Sequence, residues 1–198
     1  MISVYNIKPK FQELLIPILT FLHKQGVSAN KITISSVILS FFIGLFFWFA
    51  DVNNLFFLLL PLGLFVRMAL NALDGMMARI YNQQSKKGEL LNELGDVVSD
   101  LFIFFPLLKF EFEIIYLISL FLCLSIINEF AGILGKVISN ERRYEGPMGK
   151  SDRALIIGIY GVLSYFSIDI QQFSIYIFAV VVILLLLSTI IRIQKTLK

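Results

Sequence analysis

Six long apolar segments, separated by short polar stretches, dominate the pattern of the chain. They are residues 32–50, 55–79, 90–108, 114–136, 154–168 and 173–191. The first of them contains nineteen residues without a charged side chain, which is enough for an α-helix to cross the hydrocarbon core of a bilayer. The pattern therefore predicts six transmembrane helices.

The N-terminal segment, residues 1–29, has a different pattern. Its apolar side chains recur at helical spacing along one face and are Phe11, Leu14, Leu15, Ile18, Leu19 and Leu22. This spacing predicts an amphipathic helix in the membrane interface, with Pro17 as the candidate kink. The predicted fold is an all-α integral membrane protein of one domain over residues 1–198. It has an amphipathic interfacial segment at 1–29 and a six-helix bundle at 30–198.

The composition is that of a membrane protein. Of the 198 residues, 58% are hydrophobic and 16% are charged, and the mean hydropathy is +0.83. A soluble domain of this size cannot bury so much apolar surface. The single Cys123 excludes an intramolecular disulfide and is predicted to be buried, and the lone His23 cannot build a histidine metal site. The first fifteen residues lack a signal-peptide pattern, and we expect no nucleic-acid partner.

The basic residues indicate how the chain is oriented in the membrane. If the N-terminus is cytosolic, fifteen of the seventeen lysines and arginines fall on the cytosolic side. The exceptions are Lys109 in an outer turn and Arg67 within a span. This asymmetry predicts a protein of the cell's inner membrane with both termini in the cytosol.

The stretch from Asn71 to Asp100 places polar residues within two of the apolar segments. Two sets share a helix face by their spacing: Asn71, Asp74 and Ala78 on the first helix, and Asn92, Asp96 and Asp100 on the second. The eight residues that join the helices turn the chain, so the two faces are predicted to meet in one cleft. Oxygen ligands of this kind suit Mg²⁺ or Mn²⁺.

Small residues and one arginine accompany these oxygen ligands. Gly75 and Ala78 leave room for a substrate to approach the backbone of the first helix, and Gly88 keeps the mouth of the cleft clear. Arg79, one turn beyond Asp74, is placed to meet a phosphate oxygen. Together these residues favour the binding of a diphosphate.

This stretch resembles the signature of the CDP-alcohol phosphotransferase family, membrane enzymes of phospholipid synthesis. The signature reads D-x2-D-G-x2-A-R-x8-G-x3-D-x3-D, and the chain matches it at Asp74, Gly75, Ala78, Arg79, Gly88 and Asp96. Its first and third aspartates are Asn71 and Asn92 here. Six spans preceded by a surface helix also fit the family, so the resemblance covers essentially the whole chain.

The resemblance implies roles for the matched positions. Asp74 would be a metal ligand, and Asp96 both a ligand and the general base, at a site for two divalent ions that hold the CDP diphosphate. Asn71 and Asn92 can still offer a carbonyl oxygen, but each removes one negative charge. We therefore expect weaker cation binding and one or two ions. The competing interpretation is a decayed site that is kept for packing.

Two further positions each support two interpretations. Asp100, one turn beyond Asp96, is either an additional metal ligand or the ion-pair partner of Arg67. Asn30, together with Thr33, resembles a short Asn-x-x-Thr element that lies near the nucleotide in the family. The alternative is that Asn30 caps the first span.

A polar loop between the fourth and fifth spans carries a cluster of basic residues. They are Arg142, Arg143, Lys150 and Arg153. One interpretation is simple anchoring on the cytosolic side. The other, which the resemblance supports, is a pocket for the phosphate of an anionic acceptor.

The resemblance implies transfer of a phosphatidyl group from CDP-diacylglycerol to an acceptor alcohol, with release of CMP. A polyol phosphate such as glycerol 3-phosphate fits the basic loop best, and serine or inositol are alternatives. A transferase that uses a soluble CDP-alcohol and diacylglycerol, a non-catalytic CDP-lipid-binding scaffold and a transporter also remain open. Membrane lipids are expected partners, and a homodimer is expected from the family alone.

Overall fold

The computed structural model describes residues 7–168 and 170–198, and in these residues the chain forms helices and no β-strand. The α-helices are α1 (Ile7–Lys24), α2 (Ala29–Trp48), α3 (Leu59–Ile80), α4 (Lys86–Phe104), α5 (Leu107–Phe110), α6 (Ile115–Ser139), α7 (Lys150–Tyr165) and α8 (Gln171–Thr196). Short 3₁₀ turns, Asn54–Leu58 and Phe112–Ile114, precede α3 and α6. The predicted all-α fold is confirmed.

Four helical segments in the described residues are long and apolar enough to cross a membrane. They are Ala29–Trp48, Asn54–Ile80, Phe112–Ser139 and Gln172–Thr196. Helices α4 and α7 occupy the positions of the third and fifth predicted spans, but α4 carries four acidic side chains and α7 has only 16 residues. The prediction of a membrane protein is therefore confirmed, whereas the count of six spans stays a prediction.

Helix α1 packs against α3 near the polar cleft. Leu15 and Leu19 are buried in an apolar cluster with Leu73 and Met77 of α3. Leu14, which the sequence places on the same apolar face, is 74% exposed. The face is therefore divided, because neighbouring positions on a helix differ by about 100°. One part packs on the bundle and the other is free to enter the membrane interface.

A large apolar core joins α2, α3, α4, α6, α7 and α8. It is built around buried aromatic rings, among them Phe47, Phe104 and Phe121. Gly44 lets α2 and α4 approach closely, because a Cβ atom there would lie 2.0 Å from the backbone oxygen of Phe102. This contact fixes the position of α4 along α2.

The single cysteine does not lie where the sequence predicts. Cys123 is exposed, although its neighbours Leu122 and Leu124 are buried. The prediction of a buried thiol is wrong because Cys123 points outward from α6.

Candidate active site

The polar faces of α3 and α4 meet across a cleft. The Nδ2 atom of Asn71 donates a hydrogen bond to Oδ1 of Asp96 at 3.3 Å. The turn between the helices contains Asn82 in the left-handed region, with a φ of 54°. Ser85 then caps α4 by accepting a hydrogen bond from the backbone N–H of Gly88 at 3.0 Å. Helix α2 packs against both α3 and α4, and side chains bridge the space between them.

Helix α2 supplies two hydroxyl groups to this cleft. The Oγ1 atom of Thr33 donates to Oδ2 of Asp74 at 2.8 Å, and Oγ of Ser36 donates to Oδ1 of Asn71 at 2.8 Å. Ser36 is absent from the sequence-predicted set. Its signal was available, because Thr33, Ser36 and Ser40 recur at helical spacing on one side of an otherwise apolar helix.

Two carboxylates and one ammonium share the cleft. Asp74 is buried, and the side chain of Asp96 is 19% exposed. Lys150, the first residue of α7, forms an ion pair with Asp96. The negative charges of Asp74 and Asp96 act on each other, and the positive charge of Lys150 acts on both. The sequence pattern predicts acceptor binding for Lys150 and does not indicate this contact.

The residues proposed to hold the nucleotide surround the mouth of the cleft. Gly75 faces open space, since a Cβ atom there would have nothing within 4 Å. Ala78 is half-buried, and Arg79 is exposed without an ion pair to any described residue. Asn30 lies beside the start of α4, because a Cβ atom on Gly88 would lie 2.7 Å from Oδ1 of Asn30. The five residues therefore border one region, formed by the start of α2, the end of α3 and the start of α4.

A buried network of alternating charges lies below this region. Its ion pairs are Arg67–Asp100 at 2.7 Å, Arg153–Asp100 at 2.8 Å, Arg153–Glu129 at 2.9 Å, Arg142–Glu129 at 3.1 Å and Arg142–Glu93 at 2.6 Å. Arg192 also approaches Glu129, with 3.9 Å between Nη1 and Oε1, so four arginines and three carboxylates meet in the network. Of the two interpretations of Asp100, the ion pair with Arg67 is present.

The predicted acceptor residues all have carboxylate partners. Arg142 joins the buried network and stacks over Tyr144, with its guanidinium carbon 4.5 Å from the ring centre. Burial acts to lower the pKa of Arg142, but the charges of Glu93, Tyr144 and Glu129 and the hydrogen bond to Glu93 together outweigh it and raise the pKa above its ordinary value. Arg143 pairs with Glu141 at 2.7 Å. These two arginines are partly exposed beside the cleft.

Arg153 differs from the other three members of that set. Its side chain is completely enclosed between Asp100 and Glu129. A soluble phosphate has no access to it in this arrangement. We therefore assign Arg153 to the buried network and correct its predicted role in acceptor binding.

The loop that carries Arg142 and Arg143 is attached to α6. The backbone N–H of Arg143 donates to the carbonyl oxygen of Gly132 at 3.1 Å. A Cβ atom on Gly132 would lie 2.7 Å from the carbonyl oxygen of Arg143. The glycine therefore permits the close approach that brings the basic loop over the cleft.

The described residues contain no group of three or more His, Cys, Asp or Glu side chains arranged to hold a metal. Asp74 and Asp96 remain as two carboxylates in one cleft, with Asn92 half-buried one turn before Asp96. Mg²⁺ commonly binds one or two carboxylates and completes its coordination with water and substrate phosphates. The residues present therefore fit one such ion, which substrate oxygens would help to hold.

Comparison with known sequences gives two kinds of match. The sequence model of the CDP-alcohol phosphatidyltransferase family matches residues 26–193. The inner membrane protein YnbA of Escherichia coli strain K12 is 44% identical over 195 residues, which cover 98% of this chain and 96% of the relative. An uncharacterized protein of Aquifex aeolicus is 36% identical over 97 residues, or 48% of this chain and 46% of that protein.

Two solved structures of the phosphatidylinositol phosphate synthase PgsA1 from Mycobacterium tuberculosis have a similar fold. The complex with manganese and citrate has a TM-score of 0.74 at 16% identity, covering 92% of this chain and 88% of that one. The complex with CDP-DAG also has a TM-score of 0.74, at 17% identity, covering 91% and 92%. At these identities the likeness is one of fold.

Proposed function

Because the chain belongs to the CDP-alcohol phosphatidyltransferase family, we propose that it transfers a phosphatidyl group from CDP-diacylglycerol to an acceptor alcohol and releases CMP. The observation that carries the proposal is the shared cleft of Asp74 and Asp96, the two signature carboxylates that remain in this chain. The CDP-DAG complex of the similarly folded mycobacterial synthase supports this donor.

Asp74 and Asp96, with the carbonyl oxygen of Asn92, are the residues we propose for binding Mg²⁺ or Mn²⁺. The manganese complex of the mycobacterial synthase supports a divalent ion at such a fold. When bound, the ion would supply positive charge that neutralises the diphosphate of the donor. Asp100 is left out of this set because two arginines already bind it.

The chain's own residues perform the remaining steps. Arg79, exposed at the mouth, binds a phosphate oxygen of the donor. Asp96 accepts the proton of the acceptor hydroxyl, whose oxygen forms a bond to the phosphorus that bears the diacylglycerol. The bond from that phosphorus to the bridging oxygen breaks, and CMP leaves with the electron pair. Thr33 holds the carboxylate of Asp74 in position throughout.

An anionic acceptor agrees best with the basic residues beside the cleft. Arg142 and Arg143 are partly exposed there, and arginine recognises phosphate groups well. We propose a polyol phosphate such as glycerol 3-phosphate as the acceptor. A neutral acceptor such as serine or inositol would leave these charges without a phosphate partner.

The test is release of CMP from labelled CDP-diacylglycerol by the purified full-length chain, with Mg²⁺ or Mn²⁺ and a panel of acceptors. We expect release with glycerol 3-phosphate, and loss of at least about 100-fold in Asp74→Asn and Asp96→Asn. Asp51→Asn, which changes an exposed acid far from the cleft, is the matched control and should keep full activity. No release with any acceptor would favour the CDP-lipid-binding scaffold. That alternative is suggested by Asn71 and Asn92, which stand where the signature has aspartates.

The proposed reaction also requires the cleft to face the compartment that supplies CDP-lipid. We propose an inner membrane protein with both termini and the cleft in the cytosol, supported by the name of the Escherichia coli relative and the distribution of basic residues. Reporter fusions at each terminus test this topology, and external labelling of either terminus in intact cells would refute it. A homodimer is a further proposal, and cross-linking in membranes tests it.

A further inference from the structure

One oxygen of Asp96 already receives two donors. The ammonium group of Lys150 forms an ion pair with Oδ1 of Asp96, and Nδ2 of Asn71 donates to the same atom at 3.3 Å. The carbonyl oxygen of Asn71 accepts a hydrogen bond from Ser36 at 2.8 Å. Asn71 therefore presents an N–H donor to Asp96, and its oxygen is engaged on the other side.

Few oxygen ligands remain for cations. The arginines at positions 67 and 153 hold Asp100, so this carboxylate is not free to bind a metal. Asp74 and Asp96 are left, and Asp74 is 96% buried and accepts a hydrogen bond from Thr33 on its Oδ2 atom. Two carboxylates are a ligand set for one Mg²⁺ ion that also binds substrate phosphates.

The charges of the cleft also favour a single bound divalent ion. Asp74 and Asp96 contribute two negative charges, and Lys150 contributes one positive charge. One divalent ion would turn the net charge of −1 into +1, which favours a diphosphate. A second divalent ion near Asp96 would also be repelled by the ammonium group bound there.

We propose that the ammonium group of Lys150 takes the place of a second divalent cation. The cleft then binds one Mg²⁺ or Mn²⁺, and Lys150 supplies the further positive charge to the substrate diphosphate. The proposal rests on the proposed function for the identity of that substrate. The number of bound ions can be measured without any turnover.

The experiment counts Mn²⁺ ions on the detergent-purified full-length chain by electron paramagnetic resonance, with CDP as the diphosphate probe. We expect one ion per chain in the wild type and in Lys150→Arg, which keeps the positive charge. Asn71→Asp combined with Lys150→Met adds a carboxylate and removes the ammonium group, and it should bind two ions. Two ions in the wild type, or one ion in the folded double variant, would overturn the proposal.

A single variant covers the case in which the double variant does not fold. Lys150→Met alone removes a cation that repels the metal, so we expect Mn²⁺ to bind at least threefold more tightly in the presence of CDP. Unchanged or weaker binding in a chain that elutes and melts like the wild type would overturn the proposal.

The proposed reaction and the proposed role of Lys150 fail in different ways. If the wild type binds one Mn²⁺ and no acceptor gives CMP release, the reaction is refuted and the role of Lys150 in metal binding stands. If CMP is released and the wild type binds two ions, the reaction stands and the role of Lys150 is refuted.

Discussion

Replacing Arg153 by methionine would leave two carboxylates in the bundle without a shared counter-charge. The Nη2 atom of Arg153 lies 2.8 Å from Oδ2 of Asp100 and 2.9 Å from Oε1 of Glu129, and its side chain has no exposed surface. Breaking a buried ion pair from one side costs about 3–5 kcal/mol. Asp100 keeps Arg67, and Glu129 keeps Arg142 and the more distant Arg192, so we expect a loss at the lower end, about 3 kcal/mol. For a chain of this size that corresponds to a fall in Tm of roughly 6–12 °C.

Circular dichroism of the detergent-purified protein measures this loss as a thermal transition. Lys195→Met is the matched control, because Lys195 pairs with Glu145 while half of its side chain is exposed. Such a pair contributes at most about 1 kcal/mol. Glu129→Gln added to Arg153→Met removes one of the two carboxylates that lost this arginine and should recover about half of the lost Tm. The reasoning is refuted if Arg153→Met melts with the control, or if the added Glu129→Gln lowers Tm further.

Four further changes test the packing, the cleft and an outer turn. Gly44→Ala places a methyl group 2.0 Å from a backbone carbonyl of α4 and should destabilise the fold by about 1–3 kcal/mol. Gly75→Ala meets nothing within 4 Å, so its Tm should match that of the wild type. Its CMP release should nevertheless fall, because the added methyl group takes up space beside the proposed donor site. Equal Tm values for Gly44→Ala and Gly75→Ala would contradict the packing argument. Thr33→Val removes a hydrogen bond of 2.8 Å to the α3 carboxylate and should lower CMP release about tenfold, whereas a wild-type rate would remove Thr33 from the working cleft. A hydrogen bond from Lys109 holds the pKa of Asp51 below its ordinary value, so the stability that Asp51 contributes is present above about pH 4 and lost as the pH falls through the lowered pKa. The difference in Tm between the wild type and Asp51→Asn should therefore close on acidification, and a constant difference would speak against the pair.

Sequence periodicity predicted the contacts made by helices that a short turn connects. The meeting of Asn71 with Asp96 and the pair of Arg67 with Asp100 both follow from the register of α3 and α4. The ion pair of Lys150 with Asp96 spans 54 residues. It depends on where the loop before α7 enters the bundle, and helix periodicity carries no information about that position.

Burial was harder to predict than the helices themselves. Leu14 and Cys123 lie in apolar stretches, yet both are exposed. Lipid chains are as apolar as the side chains of a protein core, so an apolar position in such a chain does not reveal which of the two it faces. Polar positions were more informative, because a buried carboxylate such as Asp100 requires a partner within reach.

The first helix and the turn of α3 that carries Asp74 form a single packing unit. Leu19 of α1 and Met77 of α3 are both enclosed in one cluster, and Met77 follows Asp74 by three residues. A force that lifts α1 off the bilayer surface would therefore also pull on the backbone that carries Asp74. Lateral pressure in the cytosolic leaflet, from which the proposed donor lipid is drawn, would therefore act on the position of Asp74 through Leu19 and Met77.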